Sequence, residues 1–278
     1  MYSGKGSQFR RRSAIERLAS QAGQMVPEAI REALRGSYER TLATLRPGRM
    51  VCTLPGGERV RLLPSLRQVT WNRDEYDAFR RDVHSGDVVF DGGANLGAYT
   101  MLFAQWVGSS GRVFAFEPAP QPHDGLTRLL DVNGLSARVT VIKAAVSATE
   151  GSASFFAAGL NGSSRLVGPG GAHTSQVPTV TIDAVCRREN VLPRLIKIDA
   201  EGAELDVLRG ARETIAAGGA QLKVYVEMHP HLWADFNAMR AEIEGELSRQ
   251  HLRAERLDGD PAIWNIEGVC LRLVPCAS

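Results

Sequence analysis

The chain has no apolar run long enough to span a bilayer. Its basic start, MYSGKGSQFRRRSAIERLASQ, lacks the apolar stretch that a secretion signal carries. It also has little net charge: 33 Lys and Arg against 31 Asp and Glu leave +2. That balance gives no bulk electrostatic case for a nucleic-acid partner, and no aromatic-basic stripe supplies one. Cysteine is scarce: Cys52, Cys186, Cys270 and Cys276 are scattered, with no C-x-x-C pair. This argues against zinc and reads as reduced, mostly buried thiols in a cytoplasmic protein. No internal repeat is found, and the one low-complexity tract is GPGGAH at 168–173. What remains is 278 residues with 44% apolar content. That is enough to bury a full core in one large domain, alone or with a smaller attachment.

Residues 13–46 show helical spacing, restarted at Pro27 and rich in Arg. They are expected to cover the core, to roof a substrate site, to touch a membrane surface weakly, or to form the contact of a homodimer. Pro47 and Gly48 end the segment. MVCTL and RVRLL flank Pro55-Gly56-Gly57 as a hairpin, and 71–83 reads as a helix. From there strands and helices alternate. Strands are expected at 88–91, 113–117, 139–146, 195–199, 223–227 and 266–274, and helices at 98–107, 120–134, 204–218 and 235–250. Short apolar strands between amphipathic helices predict a mostly parallel sheet covered on both faces. Tyr99, Leu102, Phe103 and Trp106 give one such helix its sheet-facing stripe. The stretch 159–177, with Asn161-Gly162-Ser163-Ser164 and His173, is the expected lid. Asp183 is the expected N-cap of the helix DAVCRREN.

Ligands of such sheets bind beyond the carboxyl ends of the strands. There the sequence places FDGGANLGAYT, three glycines within six positions after a buried strand. Glycine permits a sharp turn into a helix and a close approach to the main chain, and the helix offers free N–H groups. Asp91, Gly93, Ala94, Asn95 and Gly97 are the expected cradle. A dinucleotide loop wants G-x-G-x-x-G, and Ala94 stands at its middle glycine. The pattern Asp-x-Gly-x-x-x-Gly is satisfied in full. Glu117, twenty residues after Gly97 and followed by Pro118, suits the two hydroxyls of a ribose, as both cofactor classes require. Ala145 and Val146 are expected against the adenine face. A second cluster, IKIDAEGAE, places Asp199 and Glu201 where a strand gives way to a helix, and VEMHP adds Glu227 and His229.

With these residues in place, the chain resembles the FkbM family of S-adenosylmethionine-dependent methyltransferases. The resemblance covers roughly 58–230 and rests on GDVVFDGGANLGAYT, FAFEP, VPTVTIDAV, LIKIDAEGAELDVLRGA and VEMHP. It departs at Ala200, where the family more often has Val; that position is expected to pack beneath the site. The resemblance implies a Rossmann-like, doubly wound, mostly parallel seven-stranded α/β sheet over 71–278, with 1–70 as an N-terminal extension. It implies S-adenosylmethionine as cofactor and a hydroxyl acceptor on a sugar, glycolipid or natural product.

A neutral histidine suits removal of the hydroxyl proton near pH 7. His229 is therefore the expected base, with Asp199 orienting it or the substrate, and Glu201 and Glu227 are alternatives. Lys197 is expected to point away or to pair with a carboxylate. No residue is assigned to a metal, although Asp199, Glu227 and His229 form a donor set that would suit magnesium. The rival readings are an NAD-dependent oxidoreductase, which lacks a Tyr-x-x-x-Lys hydride site here, and a non-catalytic binding module, for which a rim of carboxylates has no use.

Overall fold

The computed structural model describes residues 50–66, 69–159, 164–167, 174–234, 236–264 and 269–276. The helices expected over 13–46, and with them the dimer contact, lie outside the described residues, as do Asn161, Gly162, Ser163 and His173 of the expected lid. Among the described residues, no helix is long and apolar enough to cross a membrane.

The chain opens with the expected hairpin, β1 (Met50–Thr53) and β2 (Arg59–Leu62), paired antiparallel. Helix α1 (Arg73–Asp82) starts at Asn72, whose side chain accepts from the main-chain N–H groups of Asp74 and Glu75. Strand β3 (Val88–Gly92) feeds α2 (Ala98–Trp106), and β4 (Arg112–Phe116) feeds α3 (Pro120–Asn133). The expected strand 139–146 is two strands, β5 (Val139–Ile142) and β6 (Ala145–Val146), which enter different sheets. Three strands then follow where an irregular section was expected: β7 (Gly151–Phe156), β8 (Arg165–Leu166) and β9 (Thr174–Val180). Helix α4 (Ile182–Glu189) leads to β10 (Leu195–Ile198). The expected helix 204–218 is divided into α5 (Glu204–Arg209) and α6 (Arg212–Gly218). The break falls at Gly210, where a Cβ would lie 2.1 Å from the Ser147 carbonyl. Strand β11 (Lys223–Met228), α7 (Phe236–Arg249), β12 (Leu252–Arg256) and β13 (Val269–Pro275) complete the chain.

Seven strands form the main sheet in the order β12-β13-β11-β10-β3-β4-β5. The five from β11 to β5 run parallel, and β13 and β12 pair antiparallel at one edge. The chain winds from β3 through β4 to β5 and then returns to place β10 on the other side of β3. This reversal is the switch point of an open α/β sheet, where a crevice forms outside the strand ends. A second, four-stranded sheet, β6-β9-β7-β8, stands beside it.

Side-chain alternation assigns each face its own core. Val89, Val113, Ala115, Leu195 and Tyr225 pack with α1, α2, α3 and the hairpin on one side. Phe90, Phe114, Phe116, Ile196, Ile198, Val224 and Val226 pack with α4 to α7 on the other. Each fully buried phenylalanine contributes roughly 1.5–3 kcal/mol. Phe79 of α1 is the centre of the first core, edge-on to Tyr99 at 5.0 Å, Phe103 at 5.4 Å and Tyr225 at 4.9 Å. Glu58 ties the hairpin down by accepting from the Tyr76 hydroxyl at 2.6 Å and Trp106 Nε1 at 2.8 Å. Asp183 does not cap its own helix. Thr181 does, accepting from the Ala184 N–H at 3.0 Å. Asp183 instead accepts from the N–H groups of Glu213 and Thr214 at 3.1 and 2.8 Å, so it caps α6 across space.

The glycine turn after β3 has a steric cause. Gly93 has φ +77°, and a Cβ there would meet the Asp199 carbonyl oxygen at 1.8 Å. The β3 and β10 ends therefore touch main chain to main chain. Gly93→Ala is expected to cost at least about 3 kcal/mol, since it combines a left-handed backbone with a backbone overlap. Gly134, with φ +68° and nothing within 4 Å of an added Cβ, serves as the control. Gly134→Ala should cost only about 1 kcal/mol. Urea midpoints compare the two; equal losses would mean that the close approach to Asp199 has no energetic weight.

Candidate active site

A cavity opens at the reversal, with about 700 Å³ of space when the open solvent at its mouth is included. Its floor is Gly92, Gly93 and Asn95 from the turn after β3, and Glu117 and Pro118 after β4. One wall is Ala145 and Val146 of β6, with Phe155 of β7 and Arg165 and Leu166 of β8; the opposite rim is Asp199, Ala200 and Glu201. Eight of the expected residues thus share one cavity: Gly93, Asn95, Glu117, Pro118, Ala145, Val146, Asp199 and Glu201. Ala200 packs against the core, as expected, but also lines the cavity.

Other expected residues sit underneath it. Asp91, expected to face the crevice, is 1% exposed and is not part of the described lining. It occupies a position where β3 would otherwise carry an apolar side chain. Thr100 Oγ1 donates to it at 2.5 Å, and Lys197 Nζ lies 3.8 Å away. Burial raises its carboxyl above the ordinary range. Ala94 and Gly97 are likewise structural. Ala94 N–H donates to the Phe116 carbonyl at 2.9 Å. Gly97 begins α2 at φ +80° with Leu126 where a Cβ would stand.

Glu117 is 5% exposed. Its Oε2 accepts from the Asn95 N–H and its Oε1 from the Ala119 N–H, each at 2.8 Å. Each oxygen keeps a further lone pair for a donor in the cavity. Burial, against the pull of those two N–H groups, raises its pKa to about 7. Asn95 stands at φ +49°, and its buried Oδ1 has no hydrogen-bond partner. A nucleoside could supply what this floor lacks: a vicinal diol for Glu117 and a donor for Asn95 Oδ1.

The rim is a compact set of charges. Lys197 is 4% exposed and pairs with Asp199 at 3.1 Å as well as with Asp91, its ammonium over the Tyr99 ring. Burial opposes its charge, yet Asp199, Asp91, Glu227 and Glu75 outweigh burial and hold its pKa above the usual value. The expectation that it pairs with a carboxylate is met twice. His229, 5% exposed, donates through Nδ1 to Glu204 Oε1 at 2.8 Å. Its Nε2 lies 3.7 Å from Asp199, 3.8 Å from Glu201 and 3.7 Å from Glu227. Burial disfavours the charged ring, but the Glu204 hydrogen bond and then the Asp199 and Glu227 charges raise its pKa to about 10.

A pKa raised to about 10 favours the protonated ring over the neutral form that the expected base requires. The hydrogen bond that orients the ring comes from Glu204, while Asp199 stands 3.7 Å from Nε2. Glu201 takes a strained φ of +45° and lines the cavity. Burial raises its pKa to about 7 against the pull of the His229 charge. Burial also raises Glu227 well above the ordinary range. Donor atoms of Asp199, Glu201 and His229 lie within 4.8 Å of one another, the spacing of a possible metal donor set.

Sequence reasoning counted Glu204 within the IKIDAEGAE cluster without giving it a role of its own, and it passed over Glu75 and Arg165. Glu75 could have been found, because it shares the buried face of α1 with Tyr76 and Phe79. An acid on an apolar stripe is a signal in itself.

A doubly wound sheet with a glycine turn at its reversal and an acid closing the next strand is the frame of a class I methyltransferase. A family model, Methyltransferase FkbM domain, matches residues 91–251, more than half of the 278 residues. The chain belongs to the FkbM methyltransferase family. Hexuronic acid methyltransferase AglP of Haloferax volcanii is 28% identical over 163 residues, 56% of this chain and 63% of that protein. The chain thus spans less than two thirds of that relative's length. Among solved structures, methyltransferase FkbM from Methylobacillus flagellatus KT aligns at TM-score 0.47 and 18% identity, over 67% of this chain and 43% of that one. A SAM-dependent O-methyltransferase from Thermotoga maritima aligns at TM-score 0.44 and 15% identity, over 83% and 79%.

Proposed function

We propose that the protein is an S-adenosylmethionine-dependent O-methyltransferase acting on a hydroxyl of a sugar or a sugar-bearing product. The observation that carries this reading is Glu117: a buried carboxylate with one main-chain donor on each oxygen and open lone pairs toward the cavity, facing a charged rim. The sugar acceptor is supported by the 28% identical relative, a hexuronic acid methyltransferase by name. Arg165, a cation on the cavity wall, could receive the carboxylate of such an acceptor.

The cofactor, when bound, supplies a methyl group activated on a sulfonium sulfur. Glu117 would hold the ribose hydroxyls, Asn95 and Gly93 the adjoining main-chain side, and Ala145, Val146 and Phe155 the apolar base. Asp199 and Glu201 would receive the acceptor hydroxyl. Glu201 is the group suited to take its proton: it touches the cavity, and a base with pKa near 7 is half ionised at neutral pH. Glu227 stands behind the rim with His229. Lys197 and Asp91 hold Asp199 in place from below. Alignment of the hydroxyl and exclusion of water supply the rest of the rate.

Calorimetric titration with S-adenosylhomocysteine tests the reading, with NAD as comparator. Micromolar binding of S-adenosylhomocysteine and none of NAD is the expected result; the reverse would sink the proposal. The pH dependence adds a second check. A diol binds the ionised Glu117, and burial has raised that carboxyl to about 7. Affinity should therefore rise with pH through 7 and be about tenfold weaker at pH 6 than at pH 8.

A further inference from the structure

Glu204 is 0% exposed and opens α5. Its carboxylate is fully engaged: Oε1 accepts from the Gly202 N–H at 2.8 Å and from His229 Nδ1 at 2.8 Å, and Oε2 from Trp233 Nε1 at 3.3 Å. Nothing in its position faces the cavity, so it has no direct contact to offer a substrate. Its effect passes through the ring it holds. With Nδ1–H directed at Glu204, Nε2 can only point the other way, and there it finds three carboxylates at nearly equal distance: 3.7, 3.7 and 3.8 Å. These separations are too long for a hydrogen bond and short enough for a strong shared charge.

We propose that Glu204 is the positioning residue of the acceptor site: it fixes the His229 ring through Nδ1, so that Nε2 is held among Asp199 and Glu201 of the rim and Glu227 behind it. Every element packed around the ring contributes to the balance. Asp199 and Lys197 come from the β10 end, Glu201 and Glu204 from the loop and first turn of α5, and Glu227 from β11. His231 follows, its ring 6.0 Å from that of His229, and Glu75 of α1 acts on Glu227 and Lys197. Lys197 and His229, with Arg165 of β8 acting on Glu201, face carboxylates that outnumber them. Without the imidazolium, Glu201 would lose the one charge that lowers its pKa most. It would hold its proton at neutral pH and cease to be a base. A histidine of this kind is an electrostatic prop, which a carboxylate must fix in tautomer and orientation.

The test reads the ring directly. Nitrogen-15 NMR of the six histidines, with His229 identified by its loss in His229→Gln, follows the ring from pH 5 to 10.5. In the wild type, both ring nitrogens should remain protonated to about pH 9. In Glu204→Gln the titration midpoint should fall by at least about one unit, the scale of losing one adjacent charge. Glu204→Asp should recover part of the shift. A wild-type ring that is neutral at pH 7.5 overturns the inference whether or not the variants fold. So does a Glu204→Gln midpoint equal to that of the wild type. Kinetics give a further arm, which rests on the proposed methyl transfer. Glu204→Gln should lower kcat about 10- to 100-fold, with KM and S-adenosylhomocysteine affinity within about threefold, and should raise the acid limb of the pH profile. A fall in kcat with an unmoved pH profile would mark Glu204 as merely structural. The NMR result is independent of the acceptor, so failure of the proposed function and failure of the Glu204 assignment are told apart.

Discussion

Glu117→Ala should weaken S-adenosylhomocysteine binding by about 10²- to 10⁴-fold while leaving the fold intact. Hydrogen bonds to a charged group contribute roughly 1.5–3 kcal/mol each, and two ribose hydroxyls would lose their acceptor. The side chain's other partners, the N–H groups of Asn95 and Ala119, would be left to water in the opened cavity. Stability should move little, because burial has already raised the carboxyl to about 7. An ion whose folded pKa is raised costs stability at high pH and gains none from its charge. Calorimetry gives the affinity and thermal unfolding the stability. An affinity within threefold of wild type would remove Glu117 from the nucleoside site. Glu117→Gln should be nearly as damaging, since an amide NH₂ would face a main-chain N–H in place of an oxygen.

Glu201→Gln carries the second large effect, and it falls on turnover. General-base removal costs about 10²- to 10⁴-fold in rate. Cofactor affinity should stay within a few-fold, because the ribose contact is proposed for Glu117 and not for Glu201. In the wild type, the rate should rise with pH through about 7, as the Glu201 proton leaves. In the variant that limb should vanish, leaving a low, flat profile. The measurement is release of S-adenosylhomocysteine with a glucuronide acceptor between pH 5.5 and 9. A variant with wild-type kcat and the same rising limb would show that another group takes the proton.

The parallel sheet was legible because each strand is a short apolar run with two buried faces. Phe90 beside Val89 and Phe114 beside Val113 serve opposite cores, and the run of large side chains records both. The glycine turn was legible as a spacing, but its cause was not: Gly93 answers to the carbonyl of Asp199, 106 residues onward in the sequence. The four-stranded sheet stayed hidden because β7 and β9 read GSASFF and TSQVPTV. Their small and polar residues give no clean period of two. The rim was legible as a list of residue types at strand ends. Its chemistry was not, since whether His229 is a base or a cation depends on how many carboxylates stand around it. Glu204 lies 25 residues from His229 in sequence, and no local pattern joins them.

The contact between Gly93 and Asp199 ties two halves of the crevice that the sequence keeps far apart. One side carries the floor proposed for the nucleoside and the other the rim proposed for the acceptor, and there is no slack for even a methyl group between them. A ligand that shifts Asp199 must also shift the turn after β3. Such a junction is a route for coupling the two affinities, and any coupling is reciprocal: whatever factor one ligand adds to the binding of its neighbour, the neighbour returns in equal measure.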